Sequence, residues 1–162
     1  MRLTRRYRFS ASHRLHAPSL DALANRELYG KCNNSHGHGH DYALEVSIAG
    51  QPEGATGRLV ALGRLDGFVE SVILKALDRR DLNSEVEEFA TLVPTTENLT
   101  AVVAARLAAA WPAAFADSAA RLEKVKIHET RKNIFEVQIG PPEPASDVSP
   151  KRPTQPQIKA SQ

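Results

Sequence analysis

The side chains best suited to chemistry lie in one glycine-rich stretch, residues 30–42, which reads GKCNNSHGHGHDY. It contains Cys32, the only cysteine of the chain, and three histidines, two of which are His38 and His40. Polar and apolar residues then alternate, which predicts a strand over about 40–49. Because successive strand side chains point to opposite faces, His38 and His40 share its apolar side. Two imidazoles at such a strand end are typical of a metal site, with zinc as the first candidate.

His13 is the candidate third ligand. Apolar residues alternate over 3–13, which predicts another strand with His13 on its apolar side. If the two strands form an antiparallel hairpin, His13 near the end of one meets His38 and His40 near the start of the other. Three imidazoles with an open fourth position are typical of catalytic zinc. The alternative interpretation is a surface loop rich in glycine and histidine, or a histidine whose hydrogen bonds are satisfied in the core.

Cys32 and Glu129 are two further candidates for a functional role. A metal or cation near Cys32 would lower the pKa of its thiol and supply a thiolate as base or nucleophile. The alternative is a small buried hydrophobic residue. Glu129 falls on the inward side of a predicted strand, where an unpaired carboxylate is costly. It either binds the donor groups of a ligand or forms an ion pair with Arg131.

The composition is that of one globular domain. The chain has 162 residues, of which 41% are hydrophobic and 25% charged. A net charge of +2 is too small to indicate a nucleic-acid partner, and no apolar run approaches the ~18 residues of a membrane span. The N-terminus lacks the apolar core of a signal peptide, and a single cysteine excludes an internal disulfide. We therefore expect a cytoplasmic protein whose Cys32 is a free thiol.

The order of the predicted elements indicates the fold class. Helical spacing of apolar residues predicts a helix over about 64–77 and another that starts near Thr95 and stops at Pro112. A hairpin of strands follows, over about 122–130 and 133–139. The order ββααββ predicts an α+β fold, with a four-stranded antiparallel sheet and two helices on one face. The two open edges of such a sheet favour an oligomeric barrel.

The last part of the chain differs in composition from the rest. Six of the ten prolines lie within residues 141–162. Such a segment buries too little apolar surface to order itself. We therefore expect one folded domain over residues 1–140, followed by a proline-rich disordered tail.

Several motifs together resemble the 6-pyruvoyltetrahydropterin synthase family, which also includes the 6-carboxytetrahydropterin synthases. Each motif alone is weak, but they occur in register over about residues 3–139. They are FSASHRL (9–15), GKCNN (30–34), GHGHDY (37–42), LDRRDLN (77–83), PTTENL (94–99), and the ET that precedes NI (129–134). The resemblance implies the tunnelling fold, in which ββααββ subunits form three-membered barrels that pair into hexamers.

The resemblance also implies roles for individual residues. The implied substrate is 7,8-dihydroneopterin triphosphate, bound to a zinc enzyme that eliminates triphosphate and forms 6-pyruvoyltetrahydropterin. The runner-up reaction is that of the 6-carboxytetrahydropterin synthases, which serve deazapurine biosynthesis. The implied assembly is a homohexamer with no nucleic-acid or membrane partner. The matching positions are His13, His38 and His40 as zinc ligands, Cys32 as catalytic thiol, Glu129 as pterin anchor, and Thr95, Thr96 and Glu97 in the pterin pocket.

One position departs from the family pattern. In the family an Asp-His pair from a neighbouring subunit tunes the catalytic cysteine. Here Asp78 is present, but Arg79 occupies the histidine position. Arginine stays protonated near neutral pH and cannot relay a proton, although it can act electrostatically on Cys32, pair with Asp78 or hold a phosphate. A catalytically weak pterin-binding paralogue is therefore a further alternative, and His36 is a candidate for the missing imidazole.

Overall fold

A five-stranded sheet is the central layer of the computed structural model, which describes residues 1–140. Its strands are β1 (Arg2–His13), β2 (His38–Ala49), β3 (Arg80–Asp81), β4 (Arg121–His128) and β5 (Ile134–Gln138). Their order across the sheet is β3-β1-β2-β4-β5. The disordered tail predicted for residues 141–162 lies outside the described residues.

The predicted α+β fold is confirmed, with one additional strand. The four predicted strands pair antiparallel along β1-β2-β4-β5. The fifth, β3, runs parallel to β1 and pairs only with Ala11 and Ser12 at the edge. Two residues are too few to produce an alternating pattern, which is why the sequence does not predict β3. The apolar side chains on one face of the strands form the sheet's part of the core. Among them are Leu44, Val46 and Val125, each fully buried.

Five helices complete the described part of the chain, and the two longer helical segments pack into one core with the sheet. The segment predicted over 64–77 is α2 and α3 joined by a π-helical turn, Glu70–Leu74. The short α1 lies within residues 16–30, where the sequence predicts a loop or a short helix, and α4 begins at the end of residues 77–83, where it predicts a loop. The helices are α1 (Ala22–Tyr29), α2 (Leu62–Val69), α3 (Lys75–Leu77), α4 (Leu82–Glu85) and α5 (Thr96–Ala114). None of these helices is long and apolar enough to cross a membrane.

The predicted stop of α5 at Pro112 is wrong, because the helix continues to Ala114. Proline removes only one backbone donor, and the following turn closes with a hydrogen bond from Phe115 N to the Trp111 carbonyl at 2.9 Å. The Trp111 and Phe115 rings also stack at 4.0 Å, and Phe68 meets both edge-on. This aromatic packing outweighs the missing hydrogen bond near the helix end.

The sheet keeps two strand edges open within residues 1–140. On one side β3 covers β1 only at Ala11 and Ser12, so the rest of β1 has no outer strand partner. On the other side β5 is the last strand. The sheet face opposite the helices carries charged side chains in cross-strand pairs, among them His128 with Glu45 at 3.1 Å. Unpaired strand edges are templates for pairing with another chain.

Candidate active site

The β1–β2 pairing brings the three predicted metal ligands together. His13 is directly opposite His38, and Ala11 is opposite His40. The ring centroids of the three histidines lie 4.6 to 5.0 Å from one another. The Nε2 atoms of His38 and His40 are only 2.8 Å apart. The rings therefore converge through their nitrogens, as predicted from strand parity.

His13 is oriented by a backbone carbonyl. The side chain is completely buried, and its Nδ1 lies 2.8 Å from the Pro94 carbonyl oxygen. A carbonyl oxygen only accepts, so Nδ1 carries the proton and Nε2 carries the lone pair. That Nε2 is buried and has no hydrogen-bond partner within residues 1–140. Burial lowers the pKa of His13, which keeps the ring in the neutral form that binds metals.

Gly37 allows the two histidine-bearing segments to approach closely. Its φ of +64° is a left-handed conformation that side chains disfavour. A Cβ at this position would lie 2.8 Å from the His13 carbonyl oxygen. The glycine before His38 is therefore required both by the backbone conformation and by the contact with β1.

Cys32 joins the cluster from a 3-10 turn, Gly30–Asn33. This turn is tied to the chain after β1, because Leu15 N donates to the Cys32 carbonyl at 2.8 Å. The Cys32 Sγ lies within 4.8 Å of ring nitrogens of His13 and His38. Burial and, to a smaller extent, the Glu129 charge raise the pKa of the Cys32 thiol. Nothing within the described chain offsets this increase, so formation of the thiolate requires a positive charge brought to the site.

Glu129 follows β4 and points towards the histidines. Its Oε1 accepts a hydrogen bond from Thr96 Oγ1 at 2.7 Å, and its Oε2 accepts one from Asn133 Nδ2 at 3.1 Å. Oε1 also lies 3.7 Å from His40 Nε2. Burial favours the protonated form, but the Thr96 and Asn133 hydrogen bonds and the histidines lower the pKa of Glu129 overall. Of the two interpretations offered for this carboxylate, the ion pair with Arg131 is absent from residues 1–140.

The three residues of the predicted pocket motif take different positions at the start of α5. Thr95 is the N-cap, accepting a hydrogen bond from Asn98 N at 3.3 Å. Thr96 is buried and holds Glu129. Glu97 is exposed in the first turn and makes no hydrogen bond or ion pair within residues 1–140. Only Thr96 is therefore in direct contact with the candidate site in one subunit.

Asp78 and Arg79 lie at the opposite edge of β1. Ser10 N donates to Asp78 Oδ1 at 2.8 Å, and Arg79 N donates to the Ser10 carbonyl at 2.6 Å. Arg79 has a φ of +60°, and its side chain is 90% exposed, 3.9 Å from Asp78. No hydrogen bond or ion pair joins either side chain to Cys32 in the described chain. The Arg79 side chain therefore points outwards from the subunit, whereas the Asp78 carboxylate is held against the edge of β1.

The sequence did not reveal three contributors to the site. The Pro94 carbonyl and the Asn133 amide hold His13 and Glu129, and backbone or hairpin contacts of this kind have no residue-type pattern. The third is Tyr42. Its position on the apolar parity predicts burial, but not that its hydroxyl is buried without a hydrogen-bond partner in residues 1–140. Burial raises the pKa of the Tyr42 phenol, and the charges of Glu129 and Cys32 raise it further.

Replacing Tyr42 with phenylalanine should leave the free energy of unfolding of the metal-free protein unchanged or higher. The substitution removes a buried hydroxyl that makes no hydrogen bond with the chain. Tyr7→Phe is the matched control, because the Tyr7 hydroxyl donates to Asp66 at 2.9 Å and its loss should cost about 1 kcal/mol. Urea unfolding measures both. A Tyr42→Phe loss as large as that of Tyr7→Phe would show that the Tyr42 hydroxyl is hydrogen-bonded in solution.

Comparison with known proteins shows the family to which the chain belongs. The family model for 6-pyruvoyl tetrahydropterin synthase matches residues 2–139. A Drosophila melanogaster 6-pyruvoyl tetrahydrobiopterin synthase is 44% identical over 135 residues, covering 82% of this chain and 76% of the fly protein. The Homo sapiens protein of that name is 39% identical over 132 residues, covering 82% of this chain and 87% of its own.

A solved structure gives the same result for the fold. Caenorhabditis elegans 6-pyruvoyl tetrahydropterin synthase is 37% identical and superimposes with a TM-score of 0.76. The match covers 86% of this chain and 96% of the nematode chain. The chain described here belongs to the 6-pyruvoyl tetrahydropterin synthase family.

Proposed function

We propose that this protein is a zinc-dependent lyase that converts 7,8-dihydroneopterin triphosphate to 6-pyruvoyltetrahydropterin with loss of triphosphate. The observation that carries the proposal is the buried Nε2 of His13, which has no hydrogen-bond partner within residues 1–140 and belongs to a ring beside those of His38 and His40 and the Cys32 thiol. The names of the fly and human relatives support the same reaction.

The residues present fit a metal of the zinc type. His13 presents a neutral imidazole fixed in one tautomer, and two further imidazoles converge on it. The Nε2 atoms of His38 and His40 are 2.8 Å apart. This distance fits either two nitrogens that direct their lone pairs at a shared partner or one hydrogen bond between the rings. His13, His38 and His40 would hold such a metal and leave one position for a substrate oxygen. When bound, the metal would supply Lewis-acid polarisation of the substrate's side-chain hydroxyls, which would acidify the adjacent C–H bonds.

Glu129 and Cys32 supply the remaining chemistry in this proposal. The carboxylate of Glu129 keeps its negative charge and accepts hydrogen bonds from N–H donors of the pterin ring, while Thr96 fixes its orientation. Cys32 removes the proton from the side-chain carbon next to the ring, and the electron pair passes into the ring C=N bond, whose nitrogen takes up a proton, so that the ring is reduced as the carbinol becomes an enol. Loss of the proton from the next carbon expels triphosphate with the electron pair of its C–O bond. The two enols then tautomerise to the two ketones of the product.

Loss of the Cys32 thiol should abolish turnover without abolishing metal binding. In zinc-loaded Cys32→Ala, triphosphate release should fall at least about a hundredfold, because one proton shuttle is removed while the three imidazoles remain. Chromatography of the triphosphate and the pterin product measures the rate of release, and no acetaldehyde should be formed.

Zinc content near one per chain should persist in Cys32→Ala and fall in His13→Ala. Full activity in Cys32→Ala, or no release by the unmodified protein, would contradict the proposal.

A weakly active pterin-binding protein is the second candidate, and Arg79 favours it. The guanidinium is exposed and pairs only loosely with Asp78, so within one subunit it contributes nothing to proton transfer. Its exposure is compatible with action on Cys32 of a neighbouring copy. The two candidates differ in the turnover expected when a histidine replaces Arg79. A large increase would favour the weakly active pterin-binding protein.

Arg79→His should raise turnover by about tenfold or more, because imidazole exchanges protons near neutral pH and guanidinium does not. Histidine also tolerates a left-handed φ better than most residues, so the fold should be retained. Arg80→His is the matched control; Arg80 pairs with Glu85 at 2.8 Å. Steady-state kinetics and pterin affinity should be compared for both variants. Unchanged or lower turnover in Arg79→His would show that the arginine has its own part in the mechanism.

We further propose that the chain acts as a homohexamer, a dimer of trimers. The support is the pair of open strand edges at β1 and β5, which copies of the chain can cover by joining their sheets into a ring. Such a ring would bring the exposed Asp78 and Arg79 of one copy towards another copy.

Light scattering during size-exclusion chromatography should give a mass of about six times 17.7 kDa. The value should persist on dilution to the concentrations used for kinetics, because strand pairing across subunits excludes water from the shared edges. A mass of one chain at all concentrations would overturn the proposed assembly without affecting the metal site of the single subunit.

A further inference from the structure

Glu129 is a largely buried carboxylate with no permanently charged cation beside it. Its side chain is only 12% exposed, and its hydrogen-bond donors, Thr96 and Asn133, are uncharged. No lysine or arginine forms an ion pair with it in residues 1–140. The ionisable group nearest to it is His40, whose Nε2 is 3.7 Å away, and burial lowers the pKa of that imidazole and favours its neutral form. A buried negative charge without a counter-charge points to a bound cation.

Two imidazoles beside this carboxylate complete a ligand set. A ring nitrogen of His13, a ring nitrogen of His40 and a carboxylate oxygen of Glu129 lie within 4.8 Å of one another. Donor atoms that share one ion are about 3 to 4 Å apart, since each lies about 2.1 Å from it, so small side-chain rotations bring the three onto one ion. The Nε2 of His13 is buried and has no hydrogen-bond partner in the described chain, so its lone pair is available to a metal.

The hydrogen bonds around these side chains are those of metal ligands. A ligating histidine usually donates its second ring N–H to a carbonyl or a carboxylate, and a ligating carboxylate is itself hydrogen-bonded. His13 donates from Nδ1 to the Pro94 carbonyl at 2.8 Å. Glu129 accepts from Thr96 at 2.7 Å and from Asn133 at 3.1 Å. A carboxylate oxygen accepts more than one bond, so Oε1 keeps a lone pair beside its bond from Thr96.

We propose that His13, His40 and Glu129 provide a second metal-binding mode of the cluster, which takes Fe(II). Two imidazoles and one carboxylate with open positions are the ligand set of non-haem Fe(II) centres. The carboxylate also neutralises one of the two positive charges of the ion, which neutral imidazoles do not. This mode differs from the three-imidazole zinc mode in its ligands, and it depends on neither the substrate nor the reaction proposed above.

The zinc mode and the iron mode exclude each other because they share His13. Its Nε2 has a single lone pair, so one chain holds one ion at a time. On the other side of the cluster the available donor is a sulfur: the Cys32 Sγ lies within 4.8 Å of ring nitrogens of His13 and His38. Sulfur suits zinc, whereas a carboxylate oxygen suits harder ions. The bound metal therefore selects between the two sides of one cluster.

The test is anaerobic equilibrium dialysis of the full-length protein against Fe(II) and, separately, against zinc. Glu129→Gln is nearly isosteric and keeps a carbonyl acceptor for Thr96, but its amide is uncharged. Fe(II) binding should weaken about a hundredfold in Glu129→Gln, because a direct ligand is lost, while zinc affinity changes only a few-fold. Glu45→Gln is the matched control, because Glu45 is a partly buried glutamate that contacts His128 at 3.1 Å on the opposite face of the sheet.

A spectroscopic measurement tests the ligand set directly. Nitric oxide binds Fe(II) at an open position, and the iron–nitrosyl adduct has an EPR signal that can be counted. We expect about one such signal per chain in the unmodified protein and in Glu45→Gln, and its loss in Glu129→Gln. One equivalent of zinc should also remove it, because zinc binds nitrogen ligands more tightly than Fe(II) does and competes for the same imidazole of His13.

Three results would overturn the iron mode. They are equal Fe(II) affinity in Glu129→Gln and Glu45→Gln, equal losses of Fe(II) and zinc affinity in Glu129→Gln, and one ion of each metal bound to the same chain. Zinc binding without any Fe(II) binding by the unmodified protein would also overturn it and leave the zinc mode intact. Fe(II) binding that is lost only in Glu129→Gln, in a protein whose zinc form releases no triphosphate, would uphold the iron mode and refute the proposed function.

Discussion

The site depends on the register between β1 and β2. Twelve residue pairs hold these strands together, and the last pair is His13 with His38. A slip of one residue would turn every side chain of a strand to the opposite face. The buried residues Leu44 and Val46 prevent such a slip, because it would expose them to water and bury the charged Glu45 between them instead. The apolar core of the sheet therefore fixes the relative positions of the histidines at the end of these two strands.

Residues outside these two strands then orient the side chains of the site. The Pro94 carbonyl sets the tautomer of His13, and Gly37 permits the close approach of the following histidine strand. Thr96 and Asn133 keep Glu129 ionised although it is largely removed from water. All of these contacts except that of Asn133 join segments far apart in the chain. The arrangement brings together three imidazoles, a thiol and a carboxylate, but not Asp78, which is held at the other edge of β1, or Arg79, which faces outwards.

Sequence patterns predicted the parts of this structure that follow periodic rules. The alternation of residues 3–13 and 40–49 was sufficient to place three histidines at one strand end and to infer the antiparallel pairing. The inward position of Glu129 also follows from strand parity. The two-residue strand β3 and the five-residue π-helical turn give no periodic signal, since neither is long enough for its pattern to recur. The end of α5 beyond Pro112 depends on stacking of Trp111 with Phe115, a contact that local rules for proline ignore.

Asn33 connects the turn that carries Cys32 with the segment that contains Leu15 and His16. It belongs to the 3-10 turn that carries Cys32, and its amide bonds the Leu15 carbonyl at 2.7 Å while also touching His16. Any group that orders the segment around His16 therefore reduces the motion of the thiol turn as well. A group bound at either segment would lower the conformational entropy that the other segment still has to lose. The Asn33 side chain therefore couples the order of the His16 segment to that of the turn that carries Cys32.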